Sequence, residues 1–396
     1  MRNPSTLRIL LGLVFTRLAT PVLSLALLLA AADKYGSYAT AGGVIATHGI
    51  AQALCAAVAG RLVDRGHSGR VLTGFLLAQT CAYAALLVLL STPVPPSAVI
   101  AGAAAMGLTT PPVSAVLRSA WPRLVAEGDL RTAYAADNMT NELMYVAGPP
   151  LVALSLEVVS ATLAIGVAGT AQVLGCLILL RSPDPARGHM FRRPDAALPP
   201  PKGWAAVAGP LSHGPTAAVL AVTVLTSAAF GALRLSVVAA CAAFAYPDAS
   251  GYVLGLMSVG ALAGAFLFGS RQWRINDQRL LFALCLTGGV LYLITGQVSS
   301  VYLVAGLVAV IGLVDGMRTG LQQVMISDRA PDHWRAETFS WLNSLMWVGY
   351  ALGSALAGRL VSPAGAVGAF TAAAAVLGVA SLVALTIRAL RDREFV

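Results

Sequence analysis

Asp315, Arg318, Thr319 and Gln322 stand at i, i+3, i+4 and i+7 inside an otherwise apolar run. That spacing puts all four on one face of a helix, where a polar stripe should meet water or a polar ligand. Alternatively, Asp315 and Arg318 neutralise one another where they stand. Arg234 lies near the middle of a second apolar run with no carboxylate one turn away. It needs a partner elsewhere, for which Asp315 is the internal candidate, or an anionic ligand. Glu142 stands six residues before Gly148 in a polar cluster with Asp137, Asn138 and Asn141. Desolvation favours the neutral form of a carboxyl, as a proton carrier requires. Pairing with Arg118 or a neighbouring helix would make Glu142 a structural support instead. Arg17 lies close to the inner boundary of the first run and could reach back to the interface. His48 is expected to be a hydrogen-bonded packing residue. The chemistry offered is binding and proton carriage. No zinc-spaced Cys/His cluster, phosphate loop, nucleophile elbow or other catalytic constellation appears, so no enzyme, metal or cofactor is expected.

The elements that must position these residues follow from composition. The chain is 57% hydrophobic and 11% charged, which makes lipid its solvent. Runs of about 20 apolar residues, the length of one bilayer crossing, fall at 7–32, 39–60, 71–91, 98–117, 134–155, 160–181, 216–243, 251–269, 280–298, 301–325, 337–360 and 364–388. We number these spans 1 to 12. They are too long and too uniformly apolar for barrel strands, so they predict an all-α membrane protein. Met1 to Ala32 is expected to be a retained span, since its apolar stretch is as long as a bilayer is thick. With the N-terminus inside, cytoplasmic segments hold 21 of the 26 Lys and Arg, whereas the outer ends hold only Lys34 and Arg359. This asymmetry predicts cytoplasmic termini and a topological origin for the net charge of +9, not a nucleic-acid partner. Cys55, Cys81, Cys176, Cys241 and Cys285 all lie in apolar runs and are expected to be buried small hydrophobes.

A charged hairpin occurs twice. Gly60 to Arg70 follows span 2 and Gly269 to Arg279 follows span 8, with Arg65 matched by Arg274 and two aliphatic residues after the last Arg of each. Gly107 and Gly312, Asn138 and Asn343, and Gly148 and Gly353 are each 205 residues apart. The chain therefore divides into a six-span bundle over 1–181, a Pro- and Arg-rich cytoplasmic linker over 182–215 with a short surface helix near Trp204, and a second bundle over 216–396. Gly260/Gly264 and Gly349/Gly353 are expected to serve close helix packing. The second hairpin has Trp273 where the first has Asp64, which predicts that only the first can latch.

Twelve spans in two halves, with Gly60, Leu62, Asp64, Arg65 and Arg70 forming a GxLxDR loop, resemble the major facilitator superfamily over essentially the whole chain. His67 replaces that family's Gly, and Ser68-Gly69 its usual basic pair. The resemblance implies that Asp64 sits against the positive end of span 11. It further implies that Arg65 and Arg70 hold the loop at the cytoplasmic side, with Arg118 at the inner end of span 4. Such a latch would favour the outward-open state. Gly148-Pro149-Pro150 resembles the Gly-Pro centre of a span-5 motif of exporting members, although Val152 and Ala153 replace its trailing glycines. In the family, spans 1, 4, 7 and 10 line the central cavity, which would put Arg17, Arg234, Asp315, Arg318, Thr319 and Gln322 on the substrate path.

The resemblance is closest to actinobacterial drug and metabolite exporters. It implies a monomeric, proton-coupled efflux transporter of the bacterial plasma membrane, with Glu142 and Asp315 as proton-coupling residues and the proton gradient as energy source. Positive charge near Arg234 and Arg318 points to anionic or zwitterionic amphiphiles as cargo. Uptake of an organic anion remains open, as does, from another class, a non-transporting receptor or scaffold.

Overall fold

The computed structural model describes residues 4–36, 38–141, 143–144, 161–181, 209–246, 249–271, 273, 275–331 and 334–393. Glu142, Gly148, Pro149, Arg274, Trp204 and most of the linker lie outside the described residues. Regular structure among the described residues is entirely helical. In chain order the helices are α1 (Pro4–Tyr35), α2 (Tyr38–Leu62), α3 (Ser68–Ser91), α4 (Pro96–Leu108), α5 (Val113–Leu124), α6 (130–141), α7 (Ala161–Leu180), α8 (Gly214–Ala243), α9 (Ala249–Ser270), α10 (Asp277–Gln297), α11 (Val301–Arg329) and α12 (Arg335–Arg393). Nine helical segments among the described residues are long and apolar enough to cross a membrane. They match spans 2, 3, 4, 6, 7, 8, 9, 10 and 12; α1 and the first part of α12 cover spans 1 and 11, and α6 opens span 5. Lipid cannot hydrogen-bond the backbone, so helices that satisfy their own N–H and C=O groups are the solution.

Three junctions differ from the sequence reading, each for a local reason. Span 4 is two helices, because Pro111 and Pro112 lack N–H donors and hold the preceding residue away from the helical region. Thr109, at the break, donates to Gln79 Oε1 on α3 at 2.6 Å. The first hairpin is not an open loop: a π-turn, Val63–His67, carries α2 into α3. Spans 11 and 12 are the two helices covered by the α12 range, and they meet at Gly365 with no longer loop between them, because its φ of +63° and ψ of −169° suit glycine alone and break the helix there.

The chain forms two compact units. The first comprises Met1–Leu124, Thr140–Leu198 and Asp332–Ser340; the second comprises Val125–Met139, Pro199–Pro331 and Trp341–Val396. In the first, small and branched side chains of α1 to α4 and α7 make a core around Leu27, Leu86 and Met106. In the second, Leu233, Tyr292, Val308 and Phe370 centre a core of α8 to α12. Glycine lets backbones approach within each unit. A Cβ at Gly107 on α4 would lie 2.3 Å from the His48 carbonyl oxygen on α2. Its repeat, Gly312 on α11, would lie 2.0 Å from the Met257 oxygen on α9. The repeated glycines thus make the same contact in both copies. Gly260 and Gly264 on α9 return the approach to α11, and Gly349 and Gly353 on α12 meet α8.

Candidate functional site

Polar groups inside the membrane gather on α8 and α11 of the second unit. Asp315 accepts an ion-paired hydrogen bond from Arg318 one turn away, so the alternative of mutual neutralisation holds. Arg318 is buried, and its Nε is without a hydrogen-bond partner among the described residues. Asp315 keeps 17% of its side-chain surface accessible. Cys285 and Tyr292 on α10 lie within electrostatic reach of the pair. Gln322 is also buried and donates to Thr226 Oγ1 on α8 at 3.3 Å, while Thr319 is half-buried. The stripe therefore turns largely into its own unit. Removing either partner of this pair would leave the other as an uncompensated charge inside the unit.

Arg234 behaves differently. It is exposed, and no hydrogen bond or ion pair joins it to any described residue. Asp315, its expected internal partner, is taken by Arg318. Arg17 on α1 and Arg118 on α5 are buried. His48 is buried with Nδ1 3.3 Å from the Ala103 carbonyl oxygen, a packing contact between α2 and α4. Cys176, Cys241 and Cys285 are buried, whereas Cys55 is half-buried and Cys81 exposed. That departs from the expectation that all five are buried. The outer face of a span meets lipid, and a thiol is apolar enough to lie there.

Asp64 lies at the N-terminus of α12, inside the first unit. Its two oxygens accept the backbone N–H groups of Ala336 at 2.9 Å and Glu337 at 2.7 Å, satisfying donors that a helix start leaves open. Arg61 closes the contact with a 2.7 Å ion pair to the buried Glu337. Gly60 makes the approach possible, since a Cβ there would lie 2.5 Å from Ser340 Oγ and 2.7 Å from Glu337 Cα. Arg65 and Arg70 are exposed beside it.

The second hairpin also clasps a helix start, inside the second unit, contrary to the expectation drawn from Trp273. A Cβ at Gly269 would lie 2.3 Å from Ala135 Cβ and 3.4 Å from Thr132 Cα on α6. Thr132 and Ala135 are the repeats of Glu337 and Ser340 at the 205-residue offset. Different polar groups complete it. Thr132 Oγ1 donates to the Gly269 oxygen at 2.7 Å, and Arg131 pairs with Asp277 at the start of α10 while lying over the Phe268 ring. Trp273 Nε1 donates to the Phe268 carbonyl at 3.2 Å, so the tryptophan in Asp64's place caps its own helix. Sequence reasoning missed Arg61, Glu337, Arg131 and Asp277. Carrying the repeat offset one turn further along α6 and α12 would have found the helix starts, though not their partners.

A family model described as Major Facilitator Superfamily matches residues 9–246. The Tap multidrug efflux pump of Mycobacterium tuberculosis is 28% identical over 148 residues, covering 37% of this chain and 35% of that protein. The Tap pump of Mycolicibacterium fortuitum is 26% identical over a segment of the same length. The chain therefore spans about a third of these relatives' length. Among solved structures, a bacterial homologue of the iron transporter ferroportin superposes with a TM-score of 0.78 at 15% identity, over 98% of this chain and 100% of that one. The human organic anion transporter MFSD10 gives 0.75 at 16% identity, over 97% and 100%. The Escherichia coli fucose:proton symporter FucP gives 0.75 at 14%, over 96% and 97%. At these identities the superpositions establish the fold. A family match over more than half the sequence, on an all-helical, multi-pass chain whose two copies repeat the same glycine contacts, shows that this chain belongs to the Major Facilitator Superfamily.

Proposed function

We propose that the chain is a proton-coupled antiporter of the bacterial plasma membrane, exporting a small amphiphilic metabolite or drug by alternating access. The observation that carries this reading is Asp64 on the backbone donors of Ala336 and Glu337. A carboxylate on a helix end is a contact that can form and break as a unit, which a rocking transporter needs. Gly60, Asp64, Arg65, Arg70 and Arg118 serve that latch. The partial similarity to Tap multidrug efflux pumps supports export, and with it a role in drug resistance. Asp315, with Glu142, carries the coupling proton, and no cofactor beyond the gradient is needed. Arg17, Arg234, Arg318, Thr319 and Gln322 border the substrate path, and the span-5 residues Gly148 and Pro149 shape it. The protein acts as a monomer with cytoplasmic termini, as the distribution of its basic residues supports.

The second reading, uptake of an organic anion with protons, is favoured by the exposed charge of Arg234. One experiment addresses both. Cells expressing the chain are screened for resistance to amphiphilic compounds, and the compound identified is followed in proteoliposomes under pH gradients of either sign. Export predicts resistance and flux that exchanges compound for protons. Hypersensitivity with co-directional flux supports uptake, and gradient-independent movement contradicts both.

A further inference from the structure

The geometry points to an aromatic-carboxylate site on α8 and α12 of the second unit, in which Arg234 takes the carboxylate and Phe230, Tyr350 and Trp347 take the flat apolar body. The inference rests on the transporter reading for its physiological meaning, but binding at the site is testable without transport.

Arg234 lies about nine residues, roughly 13 Å at 1.5 Å per residue, before the C-terminal end of α8. That is about half the thickness of a hydrocarbon core. A guanidinium stays charged at any physiological pH and is costly against lipid at such depth. An exposed arginine there must border a polar space. Arg318 and Arg234 thus have opposite circumstances: the first is buried and neutralised by Asp315, while the second is exposed and makes no hydrogen bond or ion pair with a described residue.

A row of aromatic rings begins one turn before it. Phe230 is four residues earlier on α8 and so shares its face. The Phe230 ring lies 6.2 Å from that of Tyr350, tilted by 49°, and Tyr350 lies 5.9 Å from Trp347, edge-on at 76°. Trp347 is 46% exposed, so the end of this row of rings is open to a ligand. The platform is rigid because the two helices touch through glycine. A Cβ at Gly231 would lie 2.2 Å from the Tyr350 carbonyl oxygen, and one at Gly353 would lie 1.7 Å from that of Ala228. A planar fork of donors recognises a carboxylate in a paired geometry, and fixed aromatic faces favour a flat apolar partner. A cationic amphiphile of the same shape would meet like charge.

The test uses three naphthalene probes of one shape, 2-naphthoate, 2-naphthamide and 2-naphthylmethylammonium, titrated calorimetrically into the full chain in lipid nanodiscs. We expect naphthoate to bind at least tenfold more tightly than the neutral amide and the cation to bind weakest. Arg234→Gln should erase the preference for naphthoate while leaving amide affinity within about twofold, and Arg234→Lys should restore part of it. Trp347→Ala should weaken naphthoate and amide together. Equal binding of naphthoate and amide, or a preference that survives Arg234→Gln, overturns the site. Anion-selective binding without proton-driven flux would keep the site and reject the proton-coupled transporter; proton-driven flux of another compound, with no naphthoate preference, would do the reverse.

Discussion

Replacing Asp64 by Asn should open the first clasp without altering its shape. The carboxylate holds two backbone donors at 2.9 and 2.7 Å. Asn keeps one acceptor and turns an N–H₂ toward the other donor, so at least one charge-assisted hydrogen bond is lost, worth about 1.5–3 kcal/mol. The loss of negative charge at a helix start adds about 0.3–1 kcal/mol. The closed clasp should therefore weaken by about 2–4 kcal/mol, a shift of about 30- to 700-fold in its opening equilibrium at 1.4 kcal/mol per tenfold. Ser340 reports that opening because it is buried beneath Gly60, with its Oγ in the space a Cβ would need. With the five native cysteines replaced and Ser340→Cys introduced, labelling by a membrane-impermeant thiosulfonate should accelerate about 30- to 700-fold in Asp64→Asn. Labelling within twofold of the parent would refute the argument that this carboxylate holds the helix start.

Other consequences follow from single contacts. Thr132→Val removes one hydrogen bond from the second clasp and should open it by about 1 kcal/mol, roughly fivefold; labelling of Ala135→Cys measures this. Asp315→Asn leaves Arg318 buried without a counter-charge, a loss of about 3 kcal/mol that should lower the Tm. The double variant Asp315→Asn/Arg318→Gln should recover most of that stability but not proton-coupled flux. Gly353→Ala forces α8 and α12 apart and should destabilise by about 1–3 kcal/mol. Gly251→Ala, where a Cβ meets nothing within 4 Å, serves as its control in thermal unfolding.

The residues alone offered at Gly60 a close approach and at Asp64 a charge for some helix start; which helix start it is came from the family resemblance that the loop carries. Apolar run lengths made the helices legible, since one bilayer thickness dictates them. The pairing of Arg131 with Asp277 was not legible: its partners come from distant segments, and neither occupies the position equivalent to Asp64. Nor did the polar spacing on α11 reveal that Arg318 and Gln322 turn inward. Periodicity groups residues on a face but does not say what the face meets. The aromatic row is hidden for the same reason, since Phe230 and Tyr350 become neighbours only when Gly231 and Gly353 bring α8 and α12 together.

Proton-driven flux tests the proposed function most directly. Purified chain in proteoliposomes, loaded with the compound identified by the resistance screen, should exchange it for protons when a pH gradient is imposed. The movement should reverse with the gradient, stop on its collapse, and be lost in Asp315→Asn protein that still folds. Flux that persists unchanged after the gradient is collapsed, or that Asp315→Asn leaves intact, would contradict the account.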